Sequence, residues 1–193
     1  MSEDASAGWD AVADRFAALR SDIGTEVVRL WSRSLPAGGS VLDVGCGTGL
    51  PIARWLAEQG FALSGIDPSP TLIAAFRQNL PDAAAACEPA ERSNFFDRRF
   101  DGVLAIGVLF LLPEEAQAAV IRRAHHALVP GGRFLFSAPR EPCAWNDSLT
   151  GRPSRSLGEA RYQALLAEAG FQFLESHVDS GANHYFDAAA PGA

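Results

Sequence analysis

With 193 residues, 48% of them hydrophobic and 20% charged, and a mean hydropathy of +0.03, the chain can bury one full α/β core and needs no second domain. Asp and Glu outnumber Lys and Arg by 23 to 16, for a net charge of −7, which sets the surface against a phosphate backbone and excludes nucleic acid as the expected partner. Met1 to Gly8 is polar and lacks the apolar stretch of a signal peptide, no run reaches the length of a membrane span, and Cys46, Cys87 and Cys143 fit neither a disulfide framework nor a C-x-x-C metal site, so a cytoplasmic protein with free thiols, no metal and no membrane partner is expected.

The first elements read as helical. Trp9 to Arg20 and Ile23 to Leu35 carry apolar residues at helical spacing, with Trp9, Val12, Ala13, Phe16 and Leu19 on one face of the first. Residues 1–35 are expected to form a helical cap or lid. Val41 to Val44 is apolar and mostly β-branched around Asp43, the pattern of a parallel strand covered on both faces. It breaks into Gly45-Cys46-Gly47-Thr48-Gly49, where residues without a Cβ let backbone N–H groups approach a ligand closely. Pro51 then opens a helix with Ile52, Trp55 and Leu56 on its apolar face, and Gly60 ends it.

Phe61 to Ile66 reads as a second strand ending at Asp67, after which Ser69 caps and Pro70 opens a helix carrying Leu72, Ile73 and Phe76 and stopping near Pro81. Ala83 to Cys87 is a weak third strand, assigned on context because alanine favours helix. Asp101 to Ile106 is the fourth strand, Pro113 to Leu128 a long amphipathic helix ended by Pro130-Gly131-Gly132, and Arg133 to Ala138 the fifth strand. Pro139 to Leu157 is a polar loop. Gly158 to Ala169 is a helix, and Phe171 to Val178 and His184 to Ala188 make a terminal hairpin across Asp179 to Asn183.

The glycine spacing narrows the ligand. A dinucleotide fingerprint runs G-x-G-x-x-G, whereas here the loop runs G-x-G-x-G with Asp43 two positions ahead of it. This resembles motif I of the class I S-adenosylmethionine (SAM)-dependent methyltransferases, in which the loop cradles the amino-acid end of SAM. Phe100-Asp101-Gly102-Val103-Leu104 and Leu128-Val129-Pro130-Gly131-Gly132-Arg133-Phe134 resemble later motifs of that family, and the likeness runs from Trp9 to about Ala188. It implies an α/β fold with a doubly wound, Rossmann-like seven-stranded sheet, mostly parallel with an antiparallel C-terminal hairpin strand and helices on both faces. Residues 1–193 would form a single domain. It also implies SAM as cofactor, S-adenosylhomocysteine as product, and a cofactor site made of Asp43, Gly45, Cys46, Gly47 and Gly49 in motif I, Asp67 and Pro68 at the ribose, Glu88 and Pro89 near the adenine, and Ile106 after the fourth strand. Glu91 lies close enough to Glu88 to exchange roles with it.

No N-P-P-Y or D-P-P-Y follows the fourth strand, where Gly107-Val108-Leu109-Phe110 stands instead, so the expected acceptor is a small organic molecule. A sulfonium methyl is electrophilic by itself, which leaves orientation and exclusion of water as the main demands on the protein. Ligands of such sheets lie outside the carboxyl ends of the parallel strands, where the Pro139 to Leu157 loop and the terminal hairpin are expected. Candidate substrate contacts are therefore Arg140, Trp145, Asp147, Arg152 and Asn183, with Phe16 and Phe110 as apolar walls. His184 and Tyr185 are the candidate catalytic residues, His184 with a reference pKa of about 6.5 suited to a base. Each has a plainer rival: Asp67 as a helix cap, His184 as a turn residue, Trp145 and Asp147 as loop anchors. Arg122, Arg123, His125 and His126 read as a solvated helix end that complements the dipole. Two other classes of function stay open, an NAD-dependent oxidoreductase, which shares the strand, loop and ribose acid, and a SAM-binding module without catalysis.

Overall fold

The computed structural model describes residues 4–192. Nine strands are present among them: β1 (Ser40–Val44), β2 (Ala62–Asp67), β3 (Ala84–Cys87), β4 (Phe100–Ala105), β5 (Leu128–Ser137), β6 (Cys143–Asn146), β7 (Pro153–Ser156), β8 (Gln172–Val178) and β9 (His184–Ala189). Seven of them form one sheet in the order β3-β2-β1-β4-β5-β9-β8. β1 to β5 run parallel, and β9 lies antiparallel between β5 and β8. The strand order reverses between β1 and β4, which opens a crevice beyond the carboxyl ends of those two strands.

Period-two alternation assigns the two faces. Val41, Leu104 and Leu135 pack with Val28 and Trp31 of α2 (Thr25–Ser32), Ile52 and Leu56 of α3 (Ile52–Glu58), and Ile73 and Phe76 of α4 (Pro70–Asn79). Leu42, Val103, Phe134 and Phe136 face the other way, onto Val120 and Ile121 of α5 (Glu114–His126) and Tyr162, Leu165 and Leu166 of α6 (Glu159–Ala169). Each such side chain contributes roughly 1.5–3 kcal/mol by leaving water. Covering both faces is what makes the central strands read as unbroken apolar runs. β3, at the sheet edge, is only half-buried. An edge strand asks little of its side chains once β2 supplies the register Ser64↔Ala84 to Asp67↔Cys87, which is why alanines suffice there.

Some elements differ from the sequence reading. The first helix is a 3-10 turn at Asp10–Val12 followed by α1 (Ala13–Leu19), and α2 starts only at Thr25, after Gly24 at φ +89°. Leu19, expected on the buried face, is 64% exposed, because the chain turns extended at Arg20. β5 reaches back to Leu128 and absorbs Pro130-Gly131-Gly132 as an irregularity, where the register with β4 jumps from Phe100↔Leu128 to Gly102↔Arg133. The Pro139 to Leu157 loop contains a separate β6–β7 hairpin. Its strands lack an alternating apolar pattern; tertiary contacts hold it, with Trp145 against Phe110 and the Ser156 hydroxyl donating to the Pro139 carbonyl at 2.6 Å. Among the described residues no helix is long and apolar enough to cross a membrane.

Candidate active site

The glycine loop follows directly from β1. Gly45 and Gly47 sit at φ +71° and +55°, the left-handed region that side chains disfavour, and the N–H groups of Gly45 and Cys46 both donate to the Ile66 carbonyl, at 2.8 and 3.0 Å. The loop is thereby fastened to the end of β2. A Cβ on Gly45 would run into Val108, and one on Gly47 would stand 3.1 Å from Phe16 Cε1. Gly49 serves the core instead. Its Cβ would stand 2.7 Å from Leu80 and 2.9 Å from Phe76, so its bareness admits the core beneath the loop and it does not border the cavity. The Cys46 side chain also turns inward, towards Gly65, where a Cβ would be 2.8 Å from its sulfur. Burial, with Asp43 and Asp67 nearby, pushes that thiol far above the usual range, so Cys46 is an inert packing residue whose backbone lines the site.

Two buried carboxylates lie below the loop. Asp67, at the end of β2, accepts from the Gly47 N–H at 3.1 Å with Oδ2 and from the Ser69 N–H at 2.9 Å with Oδ1. Each oxygen keeps lone-pair capacity for a ligand. The capping of α4 falls to Ser69 itself, whose Oγ accepts from Leu72 N–H at 3.1 Å. Burial raises the Asp67 pKa to about 6 against the pull of the Ser69 and Gly47 N–H groups. Asp43, on the same face of β1 as Val41, is 6% exposed and its carboxylate makes no hydrogen bond among the described residues. Burial pushes it up to about 7, opposed by Arg20 and reinforced by Asp67. Arg20 is an exposed residue taken whole, but its guanidinium turns into the site, 5.4 Å from the centre of the Phe16 ring.

Gly45, Cys46, Asp67 and Arg20 border a cavity of about 350 Å³ at the switch point of the sheet, and the predicted cofactor residues Asp43 and Gly47 lie behind its lining. Gly45, Cys46, Asp67 and Pro68 make its floor; Glu88, Pro89 and Glu91 make one wall; Ile106, Val108 and Phe110 make another, with Asp147 and Leu149 beyond them. Glu88 accepts from the Ser93 hydroxyl at 2.6 Å, which fixes its carboxylate. Trp9, Phe16 and Arg20 close the cavity from the N-terminal segment, the two rings meeting edge to face at 5.6 Å. That segment is pinned by Asp10, whose Oδ1 accepts from Ser69 Oγ at 2.6 Å and from Thr71 N–H at 2.9 Å.

Several candidates from the sequence stand elsewhere. Trp145 packs on Phe110, 5.4 Å between ring centres, and supports that wall without bordering the cavity. Arg140 pairs with Glu159 at 2.6 Å on the surface, and Arg152, 54% exposed, lies 3.8 Å from Asp4. Asp147 does border the cavity, but its Oδ1 is committed to Leu149 N–H, Thr150 N–H and the Thr150 hydroxyl. Asn183 donates to both oxygens of Asp179 and holds the hairpin turn. Tyr185 is 2% exposed and its hydroxyl donates to Asp179 Oδ2 at 2.6 Å; burial and that carboxylate hold the phenol protonated far beyond its usual range. The His184 side chain does not border the cavity, and its carbonyl accepts from Ala138 N–H. The common cause is that the hairpin turn docks on α2, where Ser180 N–H donates to Glu26 at 3.0 Å, instead of leaning over the crevice. Sequence reasoning missed Arg20 and took Trp9 as core or lid packing, whereas Val108 stands in the wall expected after the fourth strand. Arg20 had one signal, its place four residues after Phe16 on a helix face.

A family model described as "Methyltransferase domain" matches residues 14–185. The carboxy-S-adenosyl-L-methionine synthase of Chromohalobacter salexigens is 35% identical over 113 residues, covering 54% of this chain and 42% of its own length. The ubiquinone biosynthesis O-methyltransferase of Xanthomonas axonopodis pv. citri is 28% identical over 170 residues, covering 83% of this chain and 60% of its own length. The chain thus spans about half the length of the curated relatives it matches. The structure of Burkholderia thailandensis 1,6-didemethyltoxoflavin-N1-methyltransferase, with bound 1,6-didemethyltoxoflavin and S-adenosylhomocysteine, superposes with a TM-score of 0.77 at 22% identity, covering 94% of this chain and 84% of that one. That likeness is one of fold.

Proposed function

This chain belongs to the methyltransferase-domain family, and on that premise we propose that it transfers the methyl group of SAM to a small organic acceptor in the cavity under Phe16. The observation that carries the proposal is the convergence of Gly45 of the glycine loop, the ribose-type acid Asp67 and Arg20 on one cavity, with the buried acid Asp43 behind them in the electrostatic reach of Arg20 and Asp67. When bound, SAM supplies an electrophilic methyl on a sulfonium. Asp67 would accept the ribose hydroxyls and Glu88 or Glu91 the adenine amino group, with Pro68, Pro89 and Ile106 as apolar flanks. Asp43 would balance the ammonium, and Arg20 the carboxylate, of the amino-acid end. Gly45 and Gly47 keep the loop close to the ligand, and Trp9 and Phe16 exclude water.

The acceptor site lies between Phe16, Phe110 and Asp147. No imidazole borders it and its one guanidinium, Arg20, is assigned to the cofactor, so we infer an acceptor that is neutral or an amine, oriented by apolar walls and needing no strong base. The experiment is release of S-adenosylhomocysteine against a panel of phenols, carboxylic acids, amines and thiols. Turnover with amines supports the reading; turnover confined to phenols, which must lose a proton of pKa about 10, contradicts the absence of a base, and turnover confined to carboxylic acids contradicts the inferred acceptor class. A cytoplasmic, single-domain enzyme acting on small molecules rather than nucleic acid completes the proposal, supported by the net charge of −7. A second reading has one observation in its favour: one relative is named for making a SAM derivative. Mass spectrometry of SAM incubated with the protein and a panel of organic acids as carboxyl donors separates them, since only the second reading expects a SAM that has gained a carboxyl group.

A further inference from the structure

At the other end of the sheet, where β4 and β5 begin, a second concavity of about 260 Å³ is bounded by Asn94, Asp97, Arg98, Arg99, Arg123 and His126. Three arginines and one acidic residue line it, in a chain whose net charge is −7. The dipole of α5 accounts for Arg123 and His126 at its C-terminus. It does not account for Arg98 and Arg99. They come from a separate loop, which reaches this place through Phe95, Phe96 and Asp97 at φ +51°, +61° and +50°, three successive residues in a conformation that side chains adopt only when their surroundings enforce it.

The cations are held in position without being neutralised. Arg99 Nη1 donates to the Leu128 carbonyl at 2.7 Å, Arg123 Nη1 donates to the Ser93 carbonyl at 2.8 Å, and the Arg98 guanidinium lies 5.8 Å from the centre of the Phe100 ring. Among the described residues none of the three is ion-paired with a carboxylate, and Asp97 is engaged by Asn94 Nδ2 at 2.8 Å. A guanidinium fixed by one N–H keeps others for a ligand, and its planar fork matches the oxygens of a phosphate. We propose that this concavity is a second binding site, for a phosphate group, either free or as a monoester.

The test is isothermal titration of the full chain with inorganic phosphate and, separately, with phenyl phosphate, in chloride buffer of matched ionic strength so that screening is constant. The expected result is saturable binding of one equivalent at millimolar or lower concentration, weakened about tenfold or more in the double variant Arg98→Gln/Arg123→Gln. Tighter binding of phenyl phosphate identifies a monoester site, and equal binding a phosphate site. Because Arg123 also holds the Ser93 carbonyl, Arg98→Glu serves as the second variant: its side chain is exposed, the fold tolerates the change, and the reversed charge abolishes binding. Absence of saturable phosphate binding, or unchanged binding in Arg98→Glu, overturns the proposal. Neither readout involves SAM, so the outcome is independent of methyl transfer.

Discussion

Phe16 lies directly over Gly47, so close that a side chain begun at Gly47 would start 3.1 Å from Phe16 Cε1. The N-terminal segment and the glycine loop are thus fitted to each other. Gly47→Val adds a β-branched side chain at φ +55°, which strains the backbone and pushes Phe16 away. The expected outcome is a protein folded by circular dichroism whose affinity for SAM falls by about tenfold or more, roughly the effect of losing 1.4 kcal/mol. Normal SAM affinity in a folded variant would mean that the loop is no cradle.

Asp67→Asn tests the ribose acid with little change of size. The amide loses the charge and presents an NH2 to one of the two N–H donors, of Gly47 or Ser69, that the carboxylate now accepts. Loss of charged hydrogen bonds of this kind costs about 1.5–3 kcal/mol, so SAM should bind roughly tenfold to a hundredfold more weakly in calorimetry. An unchanged dissociation constant would show that Asp67 only braces the loop.

The raised acids make binding depend on pH, with a definite sign. Asp43 at about 7 and Asp67 at about 6 both lie above their ordinary value of 3.8. The native state therefore holds more protons than the unfolded one across that interval, and the free protein loses stability as pH rises from about 4 to about 7. In the proposed site SAM would bring its ammonium beside Asp43 and its ribose hydroxyls to Asp67, and both favour the ionised carboxylate. Binding should release protons, and affinity should climb by about tenfold or more between roughly pH 5 and pH 7.5 before levelling. Titrations in two buffers of different ionisation enthalpy read both quantities; a flat affinity with no proton release contradicts the placement of Asp43 at the ammonium and of Asp67 at the ribose hydroxyls.

Tyr185→Phe separates support of the fold from catalysis. The phenol donates to Asp179 at 2.6 Å in a buried setting, and its loss leaves the carboxylate with one partner fewer, worth about 1–2 kcal/mol. For a chain of this size that is a fall in melting temperature of roughly 2–8 °C. SAM affinity and turnover at low temperature should stay within about twofold, well below the loss expected for a catalytic acid or base. A large loss of turnover with an unchanged melting temperature would return Tyr185 to the catalytic residues.

Sequence makes the proposed cofactor side of this cavity legible because each group there stands at or beside the end of an element: Asp43 is the penultimate residue of β1, Asp67 closes β2, and Glu88 follows β3. A residue fixed by an element boundary keeps its place whatever the rest of the chain does. Arg20 also stands at an element boundary, the end of α1, but a lone cation there carries no pattern that points to Asp43. Its approach to Asp43 depends on where α1 lies, and Asp10, in the turn ahead of α1, is held by Ser69 and Thr71 at the start of α4. The acceptor side is harder still. Trp145, Arg140 and Arg152 share one polar segment, and only the β6–β7 pairing and the contact with Phe110 decide which of them turn towards the crevice. His184 and Tyr185 follow the pleat of β9 and the docking of its turn on α2, tertiary facts without a local pattern.

The most direct measurement of SAM recognition by this cavity is a calorimetric titration of the full chain with SAM, with S-adenosylhomocysteine and NAD titrated alongside. The expected result is one site that binds SAM and S-adenosylhomocysteine at micromolar concentration and leaves NAD unbound. Binding of NAD in preference to SAM, or no binding of SAM to the folded protein, would contradict it.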